Sequence, residues 1–198
     1  MELILASNNE KKLKELREIL TGMGHTVRSQ REAGLDFIVE ETGQTFLENA
    51  RLKARAVIDI TGRAAIADDS GLMVEALGGA PGVDSAYYGG DQCETDRDRF
   101  SYLLRQMEEE ENRRAKFVST IVCIFPGGRE MIAEGEWHGE LLRAPRGDGG
   151  FGYDPIFYVP ELGLTAAELS PEQKNRLSHR GKALQEFKKK WEKEYADQ

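Results

Sequence analysis

Ala64-Ala65-Ile66-Ala67-Asp68-Asp69-Ser70-Gly71 sets a small apolar run against two adjacent carboxylates, and its reading decides the fold. The apolar run reads as a buried strand that delivers Asp68 and Asp69 into a turn, a common place for divalent-metal chemistry. Neighbouring strand residues face opposite ways, so one carboxylate can hold a cation while the other orients or deprotonates a water. Taken alone, Asp-Asp-Ser-Gly reads equally well as a solvated turn closed by an Asx-type bond. The flanking segments decide between the two.

Upstream, Glu2 to Ala6 reads as a short buried strand, and Leu13, Leu16, Ile19 and Leu20 recur at helical spacing behind Ser7-Asn8-Asn9, which can cap that helix. Phe37 to Glu41 reads as a further extended segment. Phe46, Ala50, Ala54, Val57 and Ile58 then mark one face of a helix ending near Thr61-Gly62. Strand and helix alternate up to Asp69, which predicts an α/β fold with a sheet covered by helices. Downstream, Leu77 to Gly90 carries five glycines and a proline and reads as an ordered loop. Arg97 to Met107 reads as an amphipathic helix with Glu108-Glu109-Glu110-Glu111 as its solvated end. Lys116 to Phe125 and Met131 to Leu142 read as strands joined through Pro126-Gly127-Gly128, so the sheet is predicted to be mixed. Ser170-Pro171-Glu172-Gln173 is a capping box that starts a helix, and Ser178 is placed to cap another whose buried stripe is Leu184, Phe187 and Trp191.

Length and charge narrow the function classes. A chain of 198 residues buries a sizeable core without staples, and Cys93 and Cys123 lack the spacing of a zinc or redox motif. No stretch reaches the ~20 apolar residues of a membrane span, and the start Met-Glu-Leu-Ile-Leu carries no basic leader. These features predict a cytoplasmic protein with no membrane partner. A net charge of −8 argues against a nucleic-acid partner. It does not exclude a small anion, which needs only a few local cations and backbone N–H groups.

Four further segments hold groups suited to phosphate or a base. Ser7-Asn8-Asn9-Glu10-Lys11-Lys12 presents hydroxyl, amides and ammonium groups at a helix N-terminus, without the glycine pattern of a Walker loop. Glu40-Glu41-Thr42-Gly43 precedes Asn49 and Lys53, which lie four apart on one helix face, so a carboxylate and a lysine can converge there. Gly147 to Pro155 lets the backbone approach a ligand while Phe151 and Tyr153 offer rings for stacking. Lys174 with Ser178-His179-Arg180-Gly181 supplies an imidazole and a guanidinium able to read a purine edge or a phosphate.

In order and spacing these segments resemble the inosine triphosphate pyrophosphatase family, over nearly the whole chain. The resemblance rests on Leu5-Ala6-Ser7-Asn8-Asn9 with Lys12, Glu40-Glu41-Thr42-Gly43 with Thr45-Phe46 and Glu48-Asn49-Ala50, Ala67 to Leu72, Leu77 to Gly82, Gly150 to Pro155, and Ser178-His179-Arg180-Gly181. Ser7 and Asn8 stand where bacterial relatives often carry threonine and glycine, and Lys11 stands where glycine is common.

The resemblance implies a single two-lobed domain over residues 1–198, an elongated mixed sheet, a cleft between the lobes, a homodimer, and Mg²⁺ with Mn²⁺ as an alternative ion. By matching positions, Ser7, Asn8, Asn9, Glu10, Lys11, Lys12 and Lys53 would bind the triphosphate, beside Ser70. Glu40 or Glu41 with Asp69 would hold the metal, and Asp69 would accept a proton. Phe151, Gly152, Tyr153, Asp154, Lys174, His179 and Arg180 would contact the nucleotide. The implied reaction is attack of water on the α-phosphorus, releasing pyrophosphate from small-molecule purine triphosphates such as ITP, dITP and XTP. Asp68→Asn and Asp69→Asn are each expected to lower turnover by at least ~10²-fold with the fold intact. A catalytically silent nucleotide sensor is the rival reading, and steady pyrophosphate release by pure protein discriminates against it.

Overall fold

The computed structural model describes residues 1–195. Seven strands, β1 (Glu2–Leu5), β2 (Thr26–Ser29), β3 (Ala65–Val74), β4 (Arg114–Ile124), β5 (Glu130–Leu141), β6 (Phe157–Val159) and β7 (Leu164–Thr165), form one open sheet. Their order is β2-β1-β3-β4-β5-β6-β7. β1 is parallel to β2 and β3, whereas β6 is antiparallel to β5 and β7, so the sheet is mixed as the sequence predicts. The helices are α1 (Glu10–Gly22), α2 (Phe46–Thr61), α3 (Asp96–Gln106), α4 (Pro171–Leu177) and α5 (His179–Tyr195). No helix among the described residues is long and apolar enough to cross a membrane.

The chain divides into two compact units, each assembled from separated stretches of sequence. The first comprises residues 1–69, 119–135 and the chain from His179 onward; the second comprises Ser70–Val118 and Glu136–Ser178. In the first unit β1 is buried on both faces. Leu3 and Leu5 lie in one cluster with Leu13, Leu16 and Leu20 of α1 and Leu184 and Phe187 of α5. Ile4 joins Ala50, Ala54 and Val57 of α2 in another. That two-sided cover explains the unbroken apolar run of a parallel strand. Thr45 and Glu48 close a capping box at the start of α2, and Gly62, at φ 63°, ends it in the left-handed conformation. In the second unit Phe100 and Leu103 of α3 share a core with Trp137, Tyr153 and Phe157.

One expected element is absent. Phe37 to Glu41, read as extended, forms no strand; the chain from Leu35 to Gly43 has no regular structure. The Phe37 carbonyl is satisfied by the side-chain amides of Gln30 and Asn8 instead of by a neighbouring strand. Ile38 in this segment is 88% exposed.

The placement of α5 depends on Gly135 in β5. A Cβ there would overlap the His179 carbonyl and the Ala183 amide, both backbone atoms of the helix that carries Arg180. Gly135→Ala must therefore shift the first turn of α5, and the expected destabilisation is about 1–3 kcal/mol, read as a lower denaturant midpoint. An unchanged midpoint would show that α5 adjusts freely at this contact.

Candidate functional site

Asp68-Asp69-Ser70-Gly71 does not form a turn. It lies inside β3, with Asp68 1% and Asp69 4% exposed, which corrects both the turn and the solvated-turn expectations. Carboxylates tolerate such burial only with compensating partners. As the strand geometry requires, the two neighbours find different ones.

Asp68 is enclosed by cations of the first unit. Lys12 Nζ of α1 lies 3.1 Å from its Oδ2, Arg180 Nη2 of α5 lies 3.2 Å from the same oxygen, and the Ser119 hydroxyl of β4 donates to Oδ1. The other arm of the buried Arg180 guanidinium pairs with Glu15 of α1. Burial by itself would favour the neutral acid, but Arg180, Lys12 and the Ser119 hydroxyl together hold the Asp68 carboxyl far below the usual carboxylate range. Arg180 is raised in turn, since Asp68 and Glu15 overcome the cost of its burial. Asp68 is thus an ion-paired strut joining β3 to α1, β4 and α5.

Asp69 has the opposite environment. Its Oδ1 accepts from Lys53 Nζ of α2 at 2.8 Å, and the same ammonium lies 3.1 Å from Glu41 Oε1. Its buried Oδ2 has no hydrogen-bond partner among the described residues. Burial pushes the Asp69 carboxyl up despite the pull of Lys53 and Lys12. For Lys53, burial opposes the charge but Asp69 and Glu41 outweigh it, so the ammonium is held above its ordinary value. Two adjacent carboxylates whose environments push them apart in acidity are the pattern of a divided acid–base task.

The first loop follows its expected course. Asn9 Oδ1 caps α1 by accepting from the Lys11 and Lys12 amides, Ser7 Oγ accepts from the Asn9 amide, and Asn8 Nδ2 reaches the Phe37 carbonyl. Glu10 and Lys11 are exposed in the first turn. Both candidate glutamates are exposed, and Glu41 is the one that meets Lys53. No preassembled cage of three metal-binding side chains occurs among the described residues. Mg²⁺ does not require one, because it commonly takes one or two carboxylates and completes its shell with water and substrate phosphate. Asp69, with its unpartnered Oδ2, and Glu41 fit that donor requirement.

In the second unit, Asp154 is 3% exposed and accepts from Lys174 Nζ at 2.7 Å and from the Phe151 amide at 2.8 Å. Lys174 Nζ also lies 4.5 Å from the centroid of the Phe151 ring, a cation–π contact. The Gly152 amide donates to Asp96 at the start of α3. Tyr153 differs from its reading as a stacking ring: it is buried, its hydroxyl donates to the Ser85 carbonyl at 2.8 Å, and burial makes that hydroxyl harder to ionise than an ordinary phenol. The half-buried ring in this loop is Phe151. Ser70 is half-buried in β3, and His179 is buried in the first turn of α5.

Sequence reading missed Glu15, Ser119 and Asp96. Ser119 carried a usable signal, because a hydroxyl inside the apolar run of β4 has to find a partner when buried. Glu15 and Asp96 looked like ordinary polar positions on helices.

The chain is similar to several known proteins. A protein called dITP/XTP pyrophosphatase from Thermus thermophilus is 52% identical over 186 residues, 93% of this chain and 88% of that one. One of the same name from Escherichia coli O157:H7 is 46% identical, covering 92% and 94% of the two chains. The structure of the Staphylococcus aureus Ham1 protein superposes with a TM-score of 0.88 at 41% identity, covering 98% of this chain and all of that one. A HAM1 protein from Coxiella burnetii gives the same TM-score at 44% identity, covering 98% and 99%. The Ham1 family profile matches residues 3–190, and the chain belongs to the Ham1 family.

Proposed function

We propose that the protein hydrolyses noncanonical purine nucleoside triphosphates, ITP, dITP and XTP, to the monophosphate and pyrophosphate, and so keeps deaminated purines out of nucleic acid. The observation that carries this reading is the split carboxylate pair: Asp68 ion-paired with Lys12 and Arg180, and Asp69 beside Lys53 with one buried oxygen unpartnered among the described residues. The curated relatives named dITP/XTP pyrophosphatase support the same substrate class.

Mg²⁺, held by Asp69 and Glu41, would supply charge neutralisation and polarisation of the attacking water. Asp69 orients that water and takes its proton, a role favoured by a carboxyl whose acidity burial has weakened. Lys53 and Lys12 add positive charge along the triphosphate as the pyrophosphate oxygens depart. Ser7, Asn8 and the N-terminal turn of α1 offer hydroxyl, amide and N–H donors to phosphate oxygens. Phe151, fixed by Lys174, offers a ring face to a base. A homodimer and a cytoplasmic location belong to the same reading.

Base choice follows from hydrogen bonding. Hypoxanthine and xanthine carry an O6 acceptor where adenine carries an amino donor, and a donor-only pocket leaves adenine unpaired at a cost of about 1–3 kcal/mol or more. The test is pyrophosphate and orthophosphate release from ITP, dITP, XTP, ATP and GTP with Mg²⁺, each with an EDTA control. Fast, chelator-sensitive pyrophosphate release from the deaminated purines is expected. Orthophosphate as first product, or equal efficiency on ATP and ITP, contradicts the assignment.

A further inference from the structure

Glu41 stands on a segment with no regular secondary structure, yet its carboxylate meets Lys53 at 3.1 Å. An irregular exposed segment does not hold such a position unaided, since unpaired backbone explores many conformations. Two buried side-chain amides supply the main restraint. At one end the Phe37 carbonyl accepts from Gln30 Nε2 at 2.6 Å, and Gln30 is 3% exposed; Asn8 Nδ2 adds a longer bond of 3.3 Å. At the other end the Gly43 amide donates to Asn49 Oδ1 at 2.8 Å, and Asn49 is 2% exposed on α2. Asn49 and Lys53 are one turn apart on the same helix face, so α2 grips the backbone of the segment at one level and meets its carboxylate at the next. Gly43 is fitted to this contact: a Cβ on it would lie 2.6 Å from Asn49 Oδ1 and 2.6 Å from Glu48 Cβ.

We propose that Gln30 and Asn49 are positioning residues, clamping the Phe37–Gly43 backbone at its two ends and so presenting Glu41 beside Lys53 and Asp69 for metal binding. The clamp rests on the reading of Asp69 and Glu41 as the metal-holding pair. Both amides are engaged with main chain, and each acts through the segment it holds. Buried amides bonded to main chain make this placement specific, because an unpaired buried amide is costly and leaves few alternative arrangements.

The test uses Asn49→Leu, Gly43→Ala and Gln30→Met, which attack the clamp from three separate points. Mn²⁺ binding to the nucleotide-free protein is followed by calorimetry, amide exchange in residues 37–43 by mass spectrometry, and ITP turnover as a function of Mn²⁺ concentration. Each variant is expected to exchange faster in that segment and to bind Mn²⁺ about tenfold or more weakly, the scale of losing an outer support of a metal ligand. The Mn²⁺ concentration for half-maximal turnover rises in parallel, while the ITP over ATP preference is unchanged. Asn49→Asp, which keeps the acceptor for the Gly43 amide, restores most of the affinity relative to Asn49→Leu. Wild-type affinity in Gln30→Met and in whichever of the other two variants folds overturns the clamp. If the wild-type protein binds no Mn²⁺ and releases no pyrophosphate, the underlying functional reading fails instead.

Discussion

Asp69→Asn lowers pyrophosphate release from ITP by at least ~10²-fold and lowers the denaturant midpoint far less than Asp68→Asn does. The two halves of this result have one physical origin. The Asp69 carboxylate is buried, has an oxygen without a partner among the described residues, and is pushed toward its neutral form. A group whose pKa is raised by folding binds its proton more tightly in the native than in the unfolded state. Its ionisation at neutral pH is therefore a cost to folding, and an amide of the same shape removes that cost while burying its NH2 at the Oδ2 position, so the two effects offset. Lys53 keeps Glu41 as a counter-ion, and the asparagine oxygen can still accept from its ammonium at the Oδ1 position. What the amide cannot do is take a proton from water or bind a hard cation as strongly as a carboxylate. Loss of turnover in a variant that stays folded would identify Asp69 as catalytic. Near-normal turnover, or a variant inactive only because it unfolds, would remove it from the mechanism.

The legibility of this molecule divides along a physical line. The five helices and the strands β1, β3, β4 and β5 followed from apolar periodicity and local signals, with Asn9 capping α1, Gly62 ending α2 and Ser170 with Gln173 opening α4 as read, whereas the short strands β2, β6 and β7 were not read. Lys53 was legible too, because its spacing from Asn49 places both on one face of α2. The segment carrying Glu41 was misread, since its hydrogen bonds go to Gln30 and Asn49, partners that no local pattern names. The same holds for Arg180. The His-Arg pair read as able to meet a purine edge or a phosphate, but the guanidinium is buried between Asp68 and Glu15, residues of β3 and α1 far away in sequence. The turn assigned to Asp68-Asp69 failed for this reason: whether two carboxylates can remain inside a strand depends on cations delivered by three other helices, and composition within the strand is silent about them.

That dependence makes Asp68 the converse of its neighbour. Asp68→Asn is expected to destabilise the protein by about 3–5 kcal/mol, the range for removing one partner of a buried ion pair and stranding the rest. The sequence alone suggested an intact fold for this variant; the structure overturns that expectation because Arg180, 1% exposed, and Lys12 lose their shared counter-ion together. The pH dependence carries the opposite sign from that of Asp69. Asp68 is held far below the ordinary carboxylate range, so on acidification the unfolded state takes up its proton first. The stabilisation is complete above the unfolded value of about 3.9 and is lost as pH falls below it toward the folded value. Denaturant midpoints measured from pH 7 down to pH 3 should therefore fall for the wild type and fall less steeply for Asp68→Asn. Adding Arg180→Met to Asp68→Asn should recover part of the loss, since the double variant no longer buries the uncompensated guanidinium. If Asp68→Asn unfolds at the wild-type denaturant concentration, the cations around Asp68 are not held by it. A double variant less stable than either single one would show that Glu15, still paired with Arg180 in Asp68→Asn, is the anion on which that guanidinium depends.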